Sequence, residues 1–124
     1  MGVITKQITV AGSKSQRQCE VLFDSGASGC FVREDIASVL GQIVKSPFPI
    51  AFTLGNNTVM TVDKTITLFV DLKGHKLSFY YLVVPELPYD VIVGADFLQK
   101  WKIKLDPLAE DFIIDEKALK IMLV

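Results

Sequence analysis

The amino-acid sequence predicts an all-β fold with one or two short helices. β-branched and aromatic residues recur in short runs, apolar and polar side chains alternate within several of them, and turn-forming residues separate the runs. The chain has 124 residues, of which 50% are hydrophobic and 22% are charged. This length and composition are typical of one domain with one core, and they exclude disorder over most of the chain. We therefore expect a single domain over residues 1–124.

The first third of the chain divides into three strands and a helix. Residues 3–10 alternate between two faces, and a small, polar loop leads from them to a second strand at 18–23. A very short apolar strand follows at residues 30–32. Residues 33–40 have helical spacing, because their apolar side chains fall on one stripe and a glycine follows as a stop signal.

The middle of the chain predicts two hairpins. Residues 50–54 and 59–62 are apolar runs on either side of a Gly-Asn-Asn turn. Residues 65–72 and 76–84 flank a Lys-Gly-His turn in the same way. Two prolines then break the chain, so we expect the second hairpin to end there.

The last third of the chain repeats a pattern of elements from the first third. Residues 91–93 form an apolar strand that ends at a glycine, and residues 95–101 have the spacing of a short helix. The same order of strand, glycine-containing turn and helix occurs around residues 19–41 and 80–101, so a pseudo-twofold axis within one small barrel could relate them. Late strand candidates are residues 103–106, 112–115 and 119–123.

Charge and cysteine content exclude several classes of protein. Thirteen basic and 14 acidic residues give a net charge of −1, which argues against binding to nucleic acid or to an anionic membrane. No apolar run approaches the roughly 20 residues of a membrane helix. Cys19 and Cys30 are too few for a disulfide framework and lack the spacing of a zinc site, so we expect buried free thiols and no metal. Free thiols in place of disulfides favour a cytoplasmic or otherwise intracellular location.

The segment most suited to chemistry is Asp24-Ser25-Gly26 with Ala27 and Ser28. Asp24 follows three apolar strand residues, and a carboxylate there must be hydrogen-bonded, paired or neutralised. Gly26 allows close backbone approach, and the hydroxyl of Ser25 can fix the loop. An ordinary turn is the alternative, since Asp, Ser and Gly are common turn residues.

The context of this triplet resembles the catalytic loop of the retropepsin-like aspartic proteases. Residues 89–98, Tyr-Asp-Val-Ile-Val-Gly-Ala-Asp-Phe-Leu, are similar to the second signature of that family. The hairpin at about 50–62 falls where the family has its flap, the hairpin that closes over a bound peptide. The resemblance implies a small closed β-barrel of the acid protease type, with a C-terminal tail at about 112–124.

The resemblance also implies a homodimer that hydrolyses peptide bonds. Two carboxylates that share one proton activate a water, and this chain supplies a single Asp-Ser-Gly, so each subunit would contribute Asp24. Ser25 would hydrogen-bond across the dimer, and neither a cofactor nor a metal is needed. The implied catalytic residues are Asp24, Ser25 and Gly26. The implied substrate-binding residues are Ala27, Ser28, Leu54, Gly55, Asn56, Asn57, Thr58, Tyr89 and Ile92.

Two departures from the family pattern lead to further expectations. Viral members pair an acidic residue after the triplet with an arginine in the late helix, and Ser28 and Ala95 occupy the matching positions here. Another contact must replace that pair, and residues 119–124 are a candidate for an interface strand or for packing within their own subunit. Asp90 is either a charge in the substrate pocket or a turn acceptor, and Asp96 is expected to cap the late helix.

Three functions compete at this point. The leading one is a dimeric aspartic endopeptidase acting on a peptide or protein. The alternative is a non-catalytic peptide-binding or dimerisation module that keeps the fold and holds an extended peptide by strand addition. A small RNA-binding β-barrel is disfavoured by the near-neutral charge and by the lack of a basic face with aromatic residues.

Overall fold

The computed structural model describes residues 2–53 and 57–123, which contain nine strands and three helices. The strands are β1 Val3–Ala11, β2 Gln16–Asp24, β3 Phe31–Arg33, β4 Val44–Thr53, β5 Val59–Leu72, β6 His75–Val84, β7 Val91–Val93, β8 Ile103–Asp106 and β9 Asp111–Ile114. The helices are α1 Glu34–Leu40, α2 Ala95–Lys100 and α3 Glu116–Met122. The predicted all-β class is confirmed.

Six of the strands close into a barrel. The main sheet has the order β1-β2-β7-β3-β6-β5-β4, and β1 also pairs with β5. That pairing, of Val10 with Val70 and of Ala11 with Phe69, joins the sheet into a ring and leaves β4 as an additional strand beside β5. The predicted closed barrel is confirmed. Closure pairs the backbone groups that an open sheet edge would leave exposed.

The strand pairing follows the internal repeat predicted around residues 19–41 and 80–101. β2 lies parallel to β7, β6 lies parallel to β3, and β3 and β7 are antiparallel neighbours. A pseudo-twofold axis between β3 and β7 would exchange β2 with β6 and β3 with β7. This exchange maps the parallel pair β2–β7 onto the parallel pair β6–β3, as the observed pairing requires. Because Phe23 pairs with Val93, the chain leaves β2 and β7 at the same end of the barrel.

The barrel interior is filled by one large apolar cluster that includes residues of all three helices. Cys19 and Cys30 lie in it as free thiols, and burial raises the pKa of Cys19 to about 11. Trp101 is also buried, and its indole N–H donates to the carbonyl oxygen of Ser78 at 3.1 Å. A second, smaller cluster of buried residues consists of Phe31, Leu82 and Val84.

The strands of the predicted flap are longer than the sequence predicted. β5 is continuous through Asp63 and Lys64, where the sequence predicted a break, and Lys64 pairs there with Lys45 of β4. β4 begins before its two prolines. The register between β4 and β5 shifts across that proline segment, so the prolines do not interrupt a regular ladder.

The C-terminal segment is a helix, so the strand predicted at residues 119–123 is wrong. The side chain of Asp115 caps α3 by accepting a hydrogen bond from the Ala118 amide at 3.0 Å. Leu119 is fully buried and Met122 packs beside it, a spacing of three that suits a helix on the core. The alternative of packing within its own subunit fits the buried Leu119, and α3 is a third helix rather than an interface strand. None of the helices in the described residues is long and apolar enough to cross a bilayer.

Candidate active site

Asp24 lies at the carboxyl end of β2, where the chain leaves the barrel wall. Its Oδ1 atom accepts a hydrogen bond from the Gly26 amide at 2.8 Å, and its carbonyl oxygen accepts one from the Ala27 amide at 3.1 Å. The loop thus folds back on the carboxylate and fixes its direction. The side chain is only partly buried, so a bound molecule can reach it.

Ser25 connects this loop to the start of the chain. Its Oγ atom accepts a hydrogen bond from the Gly2 amide at 2.9 Å, and the Ser25 amide donates to the Gly2 carbonyl oxygen at 3.2 Å. The Ser25 hydroxyl also lies 3.2 Å from that carbonyl oxygen, as a donor. These contacts are within one chain and hold the triplet against β1. The residue is exposed, so its hydroxyl remains accessible to a second molecule.

Gly94 packs directly against the loop that follows Asp24. The amide that follows it, that of Ala95, donates to the carbonyl oxygen of Ala27 at 2.6 Å. A side chain at Gly94 has no space, since a Cβ atom there would lie 2.2 Å from the carbonyl oxygen of Gly29 and 2.6 Å from that of Ala27. The residue must therefore be glycine for the loop to pack directly on the start of α2.

A buried thiol adds a second connection between the loop and α2. The Sγ atom of Cys30 accepts from the Gly94 amide at 3.3 Å and donates to Asp96 Oδ1 at 3.1 Å. The same Asp96 oxygen accepts from the Phe97 amide at 2.8 Å, so Asp96 joins the first turn of α2 to Cys30. Burial raises the pKa of the Cys30 thiol far above its ordinary value, which keeps it protonated as the donor in this contact.

Asp24 opens onto a cleft of about 380 Å³ with largely apolar walls. The rings of Phe31 and Phe52 lie 4.8 Å apart, and together they cover one part of the wall. The remaining apolar walls come from Met60 on β5, Val84 on β6, Leu87 in the loop before β7 and Ile92 on β7. The full lining is Asp24, Gly26, Ala27, Ser28, Phe31, Phe52, Thr53, Asn57, Met60, Val84, Glu86, Leu87 and Ile92.

Most of the predicted site residues that the structure describes meet in this cleft. The exceptions are Ser25, which faces away from it, Tyr89, and Thr58, which is not part of the lining. The predicted flap residues Leu54, Gly55 and Asn56 lie outside the described residues. Sequence analysis missed the lining residues Phe31, Phe52, Thr53, Met60, Val84, Glu86 and Leu87. The alternation of apolar residues in β4, β5 and β6 is a signal that could have found several of them.

The described part of the chain contains no cluster of three or more His, Cys, Asp or Glu residues that could hold a metal ion. Asp24 stands beside backbone amides and small residues of its own loop.

A family model described as retroviral aspartyl protease matches residues 2–119. The match includes all nine strands. The chain belongs to the retroviral aspartyl protease family. The earlier resemblance to retropepsin-like proteases is therefore confirmed at the level of the family.

Solved structures of retroviral protease folds are similar to this one. The retroviral protease-like domain of Ddi1 from Leishmania major is 16% identical, with a TM-score of 0.58 over 93% of this chain and 89% of that one. The EIAV protease in complex with the inhibitor HBY-793 is 20% identical, with a TM-score of 0.60 over 82% of this chain and 90% of that one. At these identities the likeness shows the fold alone. A search of curated proteins found no significant match.

This retroviral aspartyl protease family member joins the Asp24 loop to α2 without an acid–arginine pair, since Ser28 and Ala95 are uncharged. Ser28 lines the cleft, and Ala95 holds the loop through its backbone amide. The bonds of Cys30 to Gly94 and Asp96 reinforce the same junction. The link between the Asp24 loop and α2 is therefore made by backbone groups and a buried thiol.

Asp90 has a structural position outside the cleft of this family member. Its Oδ2 accepts from the Glu20 amide at 2.8 Å and its Oδ1 accepts from Arg33 Nη2 at 3.0 Å. Arg33 also donates to the carbonyl oxygen of Tyr89 at 3.2 Å. These bonds join β2, β3 and the segment before β7, so Asp90 acts as an acceptor within the fold and is not part of the cleft lining.

Substitution of Asp90 should destabilise the fold. We expect Asp90→Ala to lower the free energy of unfolding by about 2 kcal/mol, because the Glu20 amide and the Arg33 guanidinium lose their shared acceptor. Urea denaturation measures the change. Asp63→Ala is the matched control, because its 4.0 Å ion pair is exposed and should contribute less than about 1 kcal/mol. Equal effects of the two substitutions would contradict this role for Asp90.

A second groove lies on the other side of the triplet. It has a volume of about 640 Å³ and is lined by Gly2, Ser25, Ala95, Leu98, Gln99, Pro107 and residues 102–105. Asp24 and Gly26 line the cleft, whereas Ser25 lines this groove. The triplet therefore separates two concave surfaces, and only the cleft presents the carboxylate.

Proposed function

We propose that this chain is one subunit of a homodimeric aspartic endopeptidase, with Asp24 of each subunit in the catalytic pair. The observation that carries the proposal is the position of Asp24: the Gly26 amide fixes its carboxylate at the wall of an apolar cleft. Membership of the retroviral aspartyl protease family supports the chemistry, because that family name describes a peptide hydrolase.

The dimer follows from the chemistry of the carboxylate pair. Two carboxylates at close range do not both ionise, so they share a proton and titrate as a unit. Asp24 is the only aspartate in the described lining of the cleft. The other carboxylate of that lining, Glu86, is not part of an Asp-Ser-Gly loop, so the second aspartate of the pair would come from a second copy, with the two Asp24 loops meeting at a twofold axis.

Each carboxylate then has a separate role in hydrolysis. The ionised Asp24 takes a proton from a bound water as its oxygen attacks the carbonyl carbon of the peptide bond, and the protonated Asp24 of the other subunit donates to the carbonyl oxygen. The tetrahedral intermediate collapses when the nitrogen of the leaving amine receives a proton from the pair. Apolar walls around the reacting atoms exclude other water and strengthen these polar interactions.

The surfaces around the triplet support this arrangement. With the axis beside Asp24, the exposed Ser25 and the second groove face the partner, while the cleft remains open to an extended peptide. The accessible hydroxyl of Ser25 can then exchange its bond to Gly2 for one across the interface. The hydrophobic lining favours apolar side chains next to the cleaved bond.

Subunit mixing tests both the dimer and the shared site. Wild-type protein refolded with a roughly threefold excess of Asp24→Asn should lose about fourfold in cleavage of a mixed peptide library per wild-type chain, because most wild-type subunits then have an inactive partner. The control is the same excess of Asp63→Asn, which keeps both carboxylates and should add activity. Activity that is unaffected by Asp24→Asn would show that one chain works alone. Peptide binding without any cleavage would favour a non-catalytic module that holds peptides in the same cleft.

A further inference from the structure

Glu86 lies at the cleft, in the short loop between β6 and β7. It is exposed and lines the same wall as Val84 and Leu87. Those two apolar neighbours belong to the small cluster that contains Phe31 and Leu82, and this packing anchors the loop on both sides of Glu86. The backbone of this loop is therefore anchored, and the exposed carboxylate of Glu86 stands beside an apolar surface.

No cation of the described residues neutralises this carboxylate. Residues 2–53 and 57–123 contain seven ion pairs, and Glu86 takes part in none of them. Other acidic residues do have such partners, as Glu34 has Lys64 and Glu116 has His75. The described lining of the cleft contains no lysine or arginine. Among the residues that the structure describes, the negative charge at the cleft is thus uncompensated.

We propose that Glu86 is a specificity-determining residue that selects peptides with a lysine or arginine close to apolar side chains. This inference rests on the proposed function, since it names the substrate class of the same cleft. An apolar wall with low polarisability strengthens the field of a nearby charge, so a basic side chain gains more from Glu86 than it would from a fully solvated carboxylate. An acidic side chain at the same place is repelled.

In the dimer, the preference for a basic side chain applies on both sides of the cleaved bond. A twofold axis beside Asp24 places one Glu86 on each side of the bound peptide, so both sides of the cleaved bond contact such a carboxylate. Alternate side chains of an extended peptide point to the same side, which allows a basic residue and an apolar residue to contact one wall together. We therefore expect basic residues to be preferred on both sides of the bond.

Matched peptides test the proposal directly. The probes are acetylated peptides of about eight residues with apolar residues at the central bond and a single Lys, Gln or Glu placed at each other position in turn. At the preferred position, Glu86→Gln should lower the ratio of kcat/KM for the Lys peptide to that for the Gln peptide about tenfold. Glu86→Lys should reverse the preference in favour of the Glu peptide. Glu20→Gln is the control, because Glu20 is an exposed glutamate outside the cleft.

A binding measurement separates failure of this inference from failure of the proposed function. The same peptides, labelled with a fluorophore, are titrated with Asp24→Asn and with Asp24→Asn/Glu86→Gln, and anisotropy reports affinity without cleavage. If Asp24→Asn binds the Lys peptide more tightly than the Gln peptide and Asp24→Asn/Glu86→Gln does not, the inference is supported. Absence of cleavage by wild-type protein would then count against the endopeptidase alone. Equal affinity of the Lys and Gln peptides, or no binding of either, would overturn the role of Glu86.

Discussion

Asp24→Asn should reduce peptide cleavage by about 1,000-fold or more, with little change in the free energy of unfolding. An asparagine side chain has the same shape as aspartate, and its carbonyl oxygen can still accept the hydrogen bond from the Gly26 amide. The loop therefore keeps its conformation. The amide cannot take a proton from water or share one with its counterpart, so both roles of the pair are lost together.

Two measurements on the same preparation check this result. Rates of cleavage of a peptide library report activity, and urea denaturation with sedimentation equilibrium shows that the fold and the subunit association persist. Asp63→Asn serves as the control, since Asp63 has an exposed ion pair with Lys45 and lies outside the described lining of the cleft. Retention of cleavage by Asp24→Asn would remove Asp24 from the mechanism and with it the proposed catalytic pair.

The parts of the fold that sequence analysis predicted are those with strong local patterns. The apolar run that ends at Asp24 could be recognised as a buried strand, because it combines β-branched or aromatic residues with an abrupt change to small turn residues. The repeat of strand, glycine turn and helix likewise predicted the pseudo-twofold relation of β2, β3, β6 and β7. In both cases local preference and tertiary structure agree.

The parts that it missed depend on contacts between distant residues. The apolar run at 119–123 predicts a strand, but the cap from Asp115 and the burial of Leu119 favour a helix. The bond of Cys30 to Asp96 joins positions 66 residues apart, and no spacing rule relates them. Glu86 and Leu87 line the cleft in place of Tyr89, because the bonds of Asp90 and Arg33 hold the end of that loop against the barrel.

Gly94→Ala should destabilise the fold and also disable the site. The added methyl group would lie 2.2 Å from the carbonyl oxygen of Gly29 and 2.6 Å from that of Ala27, and backbone atoms cannot move aside as a flexible side chain can. We expect a loss of about 2 to 3 kcal/mol in the free energy of unfolding. The loop that carries Asp24 must also shift, and a displacement near 1 Å in a catalytic group lowers the rate by about 100-fold.

Gly29→Ala is the matched control, because Gly29 is one of the residues that Gly94 contacts. A Cβ atom at Gly29 would meet only the ring of Phe31 at 3.6 and 3.9 Å, which is ordinary van der Waals contact, so its cost should stay below about 1 kcal/mol. Urea denaturation gives the stabilities, and cleavage assays under conditions where both variants are folded give the rates. If Gly94→Ala is no less stable than Gly29→Ala and cleaves as fast as wild type, the loop does not depend on this close approach. A large rate loss in Gly94→Ala alone would show that packing of the loop on the start of α2, as well as the triplet itself, determines the position of Asp24.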